Sequence, residues 1–217
     1  KIFDTLSGKL SGTYSSSAEL FAFDHAGTSI ALMTEEGTIN IILVPDGKKL
    51  HSIPSSNLGA QPIHALIFSP DDKLLLIPTY NASITLWDVK NKLVKNVIPG
   101  SYPAAFSDDG NFIAAAANAG LGFWSESLDQ IPRIYDVKTG YLRHELKGHS
   151  KYLSIAKFSP DGNMVLTDSW DRTARLWDIR NGRLHATLTG HSILIHSAEF
   201  SPDGKYILTS SKNETAN

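Results

Sequence analysis

Residues 135–150 read YDVKTGYLRHELKGHS and residues 177–192 read WDIRNGRLHATLTGHS, and the two stretches align without a gap. Each opens on an aromatic-Asp pair, passes through a Gly turn and closes on Gly-His. Self-similarity at a fixed period is the mark of a repeat architecture. Working outward, a second marker recurs beside the first. Phe158-Ser159-Pro160-Asp161-Gly162 returns as Phe200-Ser201-Pro202-Asp203-Gly204, as Phe68-Ser69-Pro70-Asp71-Asp72 and as Phe106-Ser107-Asp108-Asp109-Gly110. A worn copy stands at Phe23-Asp24-His25-Ala26-Gly27, so the phenylalanines lie 45, 38, 52 and 42 residues apart. The aromatic-Asp marker also appears as Trp87-Asp88 and, at the very start, as Phe3-Asp4.

Between markers the pattern is short, β-branched or alternating. VLTDS (165–169), ARLWDI (174–179), RLHATL (183–188) and ILIHSAEF (193–200) read as strands, with PDG and NG as tight turns. No stretch of ten or more residues has a helical period. Four short strands in a unit of about 40 residues make a propeller blade, because one such sheet cannot bury both its faces alone. The expected fold is all-β: a single β-propeller domain over 1–217, of four-stranded antiparallel blades, with about five blade equivalents. Strands c and d fall at 1–14, full blades at about 18–50, 60–98, 102–145 and 150–188, and strands a and b at 192–217.

FSPDG, Gly-His (Gly148-His149, Gly190-His191) and WD at this spacing resemble the WD-repeat β-propeller family. The likeness covers nearly the whole chain, is sharpest in the last two repeats and fades toward the start, where Ile42 holds the Trp position and Gly-His is missing. The resemblance implies a hydrogen-bonded structural tetrad of His149, Thr167, Asp171 and Trp177. The last repeat keeps His191 and Thr209 but has Asn213 in the Asp position; the Trp87 repeat keeps only Asn81 and Trp87, with Gly59 and Ile77 elsewhere.

Both ends of the chain fall at the same phase of the repeat, since the next Trp is due at 219, two residues past Asn217. Two expectations follow: the end halves pair into one blade of a five-bladed ring, or the chain is a fragment or processed part of a longer protein, which is the favoured one.

Composition narrows the function. With 41% hydrophobic and 19% charged residues the chain is no disordered segment. It has no Cys, which removes disulfides, thiolate metal sites and Cys nucleophiles. The net charge of −2 gives no global pull toward nucleic acid or anionic membrane, and no apolar run reaches the roughly 18 residues of a membrane helix. The N-terminal KIFDTLSGKL is neither a Met start nor a signal peptide. Sequons at Asn81 and Asn213 fall in expected turns. A cytoplasmic location, or a nuclear one, is expected; the sequence leaves oligomeric state open.

His149, Thr167 and Asp171 spell a His–hydroxyl–carboxylate trio, but the tetrad accounts for all three. The remaining histidines show no HxH or HExxH spacing, and phosphate-loop, dinucleotide and nucleophile-elbow motifs are missing. No catalytic residue, metal or cofactor is therefore expected. What remains is recognition of a protein or peptide. The resemblance implies that the b–c and d–a connections meet on one face around the channel. On the b–c turns, the residues before the tetrad Asp position are Glu35, Tyr80, Trp170 and Lys212. At the start of strand a, the matching residues include His64, Tyr102, Tyr152 and His196, and together these supply an aromatic ring.

The third full blade needs 29 residues from Phe106 to Tyr135 where others need 19. The insertion holds Leu121, Phe123, Trp124, Leu128 and Ile131, and Phe123 and Trp124 join the candidate contacts. If Arg133-Ile134-Tyr135 is strand c, the insertion lengthens the b–c loop; if Gly122-Phe123-Trp124 is, it lies on the opposite face. Finally, Trp177-Asp178-Ile179-Arg180 resembles the WDxR box of propeller substrate receptors of ubiquitin ligases. That role, or an intramolecular sensor within a larger signalling protein, is the alternative to a non-catalytic interaction scaffold.

Overall fold

A computed structural model of the chain describes residues 1–13, 18–58, 62–79, 83–116 and 131–211. The turns of the Phe-Ser-Pro-Asp-Gly marker are built by the same local chemistry in four repeats. In 158–164, the Ser159 hydroxyl donates to Asp161 Oδ1 at 2.6 Å and accepts the Met164 N–H at 2.9 Å. Gly162 N–H donates to the Ser159 carbonyl at 2.8 Å with φ at +69°, which a residue without Cβ adopts without strain. Hydrogen bonds from Asn163 and Ser159 hold the Asp161 carboxyl down at a pKa of about 2. The motif is thus a self-capped turn, repeated around Ser69, Ser107 and Ser201. The aromatic-Asp marker builds the opposite kind of link. Asp178, Asp136, Asp88 and even Asp4 each use their carboxylate to cap the backbone of the following turn, accepting from Arg180, Thr139, Asn91 and Ser7.

Strands between these turns form sheets in chain order. β1 (Ile2–Phe3) pairs with β2 (Leu10–Gly12). β3 (Ala18–Phe23), β4 (Ser29–Thr34), β5 (Ile39–Leu43) and β6 (Lys49–Ile53) form a four-stranded antiparallel sheet. A short 3₁₀ turn at Ser55–Leu58 follows. The next sheet holds β7 (Ile67–Phe68), β8 (Leu74–Pro78), β9 (Ser83–Asp88) and β10 (Leu93–Pro99). The next holds β11 (Ser101–Phe106), β12 (Phe112–Ala116), β13 (Arg133–Asp136) and β14 (Leu142–Glu145). The last complete sheet is β15 (Leu153–Phe158), β16 (Met164–Ser169), β17 (Ala174–Asp178) and β18 (Arg183–Leu188). β19 (Ile195–Phe200) and β20 (Ile207–Ser211) form a final hairpin. The fold is all-β, with four four-stranded meanders among the described residues, as propeller blades are built.

Arg133 pairs with Ala115 and Tyr135 with Ile113, so β13 is the third strand of its sheet. Of the two alternatives for the insertion, this places it in the β12–β13 connection. Residues 117–130, with Phe123 and Trp124, lie outside the described residues, as do Gly59, Tyr80, Asn81, Lys212 and Asn213.

The chain divides into two compact units, Lys1–Thr79 with Thr85–Lys95, and Tyr80–Ile84 with Asn96–Asn217. In the first, Ile39, Ile41 and Ile53 pack with Leu75, Ile77 and Trp87. Asp72, standing where other turns have Gly, accepts His25 N–H and Nδ1 at 2.8 and 2.9 Å and clasps the β3–β4 turn to the β7–β8 turn. In the second, Ala114, Ile134 and Leu146 of one sheet pack with Val165 and Trp177 of the next, while Leu166 and Ala174 pack with Ile195 and Ala198.

Candidate functional site

The tetrad residues stand together in the β15–β18 sheet. Trp177 Nε1–H donates to Thr167 Oγ1 at 2.8 Å; Thr167 Oγ1 meets His149 Nε2 at 2.8 Å, and His149 Nδ1 meets Asp171 Oδ2 at 2.9 Å. The donor inventory allows one satisfied arrangement with a neutral imidazole. The indole donates to the hydroxyl, the hydroxyl donates to Nε2, and Nδ1–H donates to the carboxylate. Burial is the largest influence on His149 and pushes its pKa below 6.5, more than the bond to Asp171 lifts it. Burial pulls Asp171 upward, but hydrogen bonds from Thr173 and His149 outweigh it and hold its pKa low. The Thr167 hydroxyl has no exposed surface and is engaged on both sides. A nucleophile so enclosed has no path to a substrate, so this trio serves structure. Its effect is to fix the loop 149–152 against the turn 170–173: Ser150 N–H also reaches Asp171, and the Ser169 hydroxyl donates to the Lys151 carbonyl.

The last hairpin repeats only the His191 Nε2–Thr209 Oγ1 contact, at 2.9 Å. In the Trp87 repeat, a residue that the repeat spacing does not indicate takes the role. His51, on β6 of the preceding sheet, accepts the Trp87 Nε1–H at 3.4 Å and stacks on the indole at 6.3 Å between centroids. Burial, then Lys92, lowers the His51 pKa, which suits a neutral acceptor.

On the loops that the tetrad fixes, Trp170 N–H donates to the Tyr152 carbonyl at 2.9 Å. Their rings meet edge to face, 5.5 Å between centroids and 60° between planes. Both side chains are half-buried. Tyr102 stands beside the Ser101–Ala116 pair at the corresponding end of its own sheet, and exposed His196 at that of the β19–β20 hairpin, flanked by the Ile195–Ser211 and Ser197–Ser210 pairs. These four residues belong to one unit, in which β15 packs against both β11 and β19. His64, in the other unit, stands at the same end of its sheet, where its N–H donates to the Pro78 carbonyl.

One polar group at this end is not marked by the repeat spacing. Asp168 has no exposed surface; Oδ1 accepts the Ser154 hydroxyl at 2.7 Å, while Oδ2 has no hydrogen-bond partner among the described residues. Burial raises its pKa above the ordinary carboxylate value. The clue in the sequence is slight: the matching positions carry Ser210, Ala116, Pro78 and Met33.

The opposite ends of the sheets carry a different surface. A groove of about 580 Å³ is lined by residues including Phe112, Arg143, Pro160, Asp161, Ile179 and Arg180. Arg143 lies 5.2 Å over the Phe112 ring. Arg180, of the Trp177–Arg180 box, is forked onto Asp178 at 2.6 and 3.1 Å, so its guanidinium is already engaged within the turn. No cluster of three or more His, Asp and Glu able to hold a metal occurs among the described residues. Among them, no helix is long and apolar enough to cross a membrane.

The family model described as WD domain, G-beta repeat matches residues 140–178 and 182–217. The Protein LST8 homolog of Drosophila melanogaster is 32% identical over 115 residues, covering 50% of this chain and 35% of that protein. Autophagy-related protein 16 of Arabidopsis thaliana is 26% identical over 170 residues, 77% of this chain and 32% of the relative. The U3 small nucleolar RNA-associated protein 21 homolog of Schizosaccharomyces pombe is 27% identical over 139 residues, 63% and 14% of the two chains. The chain spans about a third or less of the length of these relatives.

Proposed function

From the WD-repeat matches at residues 140–178 and 182–217, we propose a non-catalytic protein-interaction module. It captures a short peptide or loop of a partner protein at the end of the sheets that bears Trp170, Tyr152, Tyr102 and His196. By repeat register His64 takes the matching position on the sheet of its own unit, and Tyr80, Phe123 and Trp124, outside the described residues, are further candidate contacts. The observation that carries the proposal is the Trp170–Tyr152 pair. Two large aromatic side chains stay half in solvent, on loops that the His149–Thr167–Asp171–Trp177 chain holds in place. Aromatics are enriched at the energetic centres of interfaces, and a site fixed before binding loses little entropy when occupied.

Affinity capture with quantitative mass spectrometry tests it, comparing the native chain with a Trp170→Ala, Tyr152→Ala variant and with an Arg143→Ala, Arg180→Ala variant at the opposite end. Circular dichroism establishes that all three fold alike. Loss of the captured proteins from the aromatic variant alone supports the module; an unchanged set, or loss from the arginine variant alone, refutes it.

A further inference from the structure

We propose that a pocket in the first compact unit takes a Lys or Arg side chain of a partner protein. It does not depend on the Trp170 end, which belongs to the other unit. The pocket, of about 400 Å³, is lined from β3, the end of β4 and the β4–β5 turn, and from the segments at Ser55–Leu58 and 62–63. That volume falls within the roughly 300–1,000 Å³ of ligand sites. Its lining has two parts. Met33, Leu58 and Ile63 are buried and apolar, and exposed Pro62 adjoins them. Glu19, Thr34, Glu35 and Glu36 make up the polar part. The turn that carries most of it is firmly held: Thr34 N–H donates to the Thr38 carbonyl at 2.9 Å, and Gly37 N–H to the Thr34 carbonyl at 2.8 Å. Gly37 has φ at +75°, and a Cβ there would stand 3.3 Å from Ser55 Cβ, so the turn lies close against the start of the 3₁₀ helix.

Two observations point to a cationic occupant. The first is the Thr34 hydroxyl, whose oxygen is buried with no hydrogen-bond partner among the described residues. Its counterpart in the β15–β18 sheet, Ser169, is engaged twice, donating to the Lys151 carbonyl at 2.9 Å and accepting the Asp171 N–H at 3.1 Å. Buried hydroxyls are as a rule hydrogen-bonded, so a ligand that brings a donor to Thr34 Oγ1 is favoured. The second is charge. Glu19, Glu35 and Glu36 are exposed and form no ion pair among the described residues, and no Lys, Arg or His among them lines the pocket. A metal ion does not suit the arrangement, because no three His, Asp or Glu side chains among the described residues are grouped to hold one. A Lys or Arg side chain does. Its methylenes cover Leu58 and Ile63, while its ammonium or guanidinium meets the carboxylates and donates to Thr34 Oγ1. An aliphatic side chain would supply the apolar contact alone, and an anion is repelled.

The experiment binds degenerate nonapeptide pools with a fixed central Arg, Lys, norleucine or Glu to the whole chain and to its variants at low salt. Exposed carboxylates each contribute only a few-fold, so the native chain is expected to retain the Arg or Lys pool on the order of tenfold better than the norleucine pool. The preference shrinks as salt is raised to about 0.5 M, because exposed charges are screened. The triple variant Glu19→Gln, Glu35→Gln, Glu36→Gln keeps the shape of the pocket and reduces the preference to about twofold or less while norleucine retention holds; a thermal melt checks its fold. Trp170→Ala leaves the preference in place. In amide NMR spectra the Arg pool moves the signals of 34–38. Equal retention of the cationic and norleucine pools, retention of no pool, or an unaltered preference in the triple variant overturns the inference. So does calcium chloride alone moving the same amides, which would assign the pocket to a metal ion. A preference lost in Trp170→Ala and kept in the triple variant overturns it too, and places the cation at the Trp170 end.

Discussion

Replacing Thr167 by Val removes one hydroxyl at nearly constant volume from a site with no exposed surface. Two groups lose their partner at once: Trp177 Nε1–H and His149 Nε2, each 2.8 Å from the missing oxygen. A buried polar group left unsatisfied costs roughly 1–3 kcal/mol, so the pair predicts a loss of about 4 kcal/mol. Thr209→Val in the last hairpin is the internal control. There the hydroxyl meets His191 in a half-buried site, and about 1 kcal/mol is expected. Thr167→Ser keeps the hydrogen bonds and loses only a methyl, about 1 kcal/mol. Urea unfolding followed by indole fluorescence and by far-ultraviolet circular dichroism reads all three. Because repeat arrays can unfold piecewise, native-state hydrogen exchange of the β16 amides gives the local counterpart. A Thr167→Val loss under about 1 kcal/mol, or one equal to that of Thr209→Val, would refute the claim that this hydroxyl is the hub of the sheet.

Other outcomes follow from the same geometry. His149 and His51 are both neutral in the fold with pKa values lowered from 6.5. The unfolded chain therefore binds more protons, so stability is fully present above about pH 6.5 and is lost as pH falls below it; His149→Gln shallows that slope in a pH series of melts. Asp168 has the opposite sign, its pKa raised from 3.8, so it costs stability as pH rises through that raised value. Asp168→Asn is expected to melt at or above the native temperature at pH 7. At Gly182, with φ at +68°, an added Cβ would stand 2.8–2.9 Å from the His144 ring and Cβ, whereas at Gly162, φ +69°, it meets nothing within 4 Å. Gly162→Ala should cost only the left-handed backbone penalty, about 1–2 kcal/mol, and Gly182→Ala measurably more by denaturant unfolding.

The parts of this molecule that could be read from sequence are those whose chemistry is local. Ser159, Asp161 and Gly162 close their turn among themselves, as Asp178 does its own. A fixed spacing in the chain therefore means a fixed geometry. The insertion left two alternatives, because either Gly122–Trp124 or Arg133–Tyr135 offers a short apolar strand. Asp136 decides between them physically, since it follows the latter directly and caps the next turn through Thr139. Groups that act between sheets were hidden. His51 serves Trp87 from 36 residues away, and Asp72 clasps His25 across 47. Asp168 was hidden for a different reason: its partner Ser154 lies on another strand, at a shift in register between Leu153 and Ile155. Spacing along one strand carries no sign of that pairing.

The central claim is that partners dock on the Trp170 end of the sheets, and hydrogen–deuterium exchange of the native chain with a captured partner tests it most directly. The account predicts added protection in 149–154, 169–173 and 195–197, with the turns at 107–111, 160–163 and 201–205 unchanged. Protection confined to those turns would contradict it.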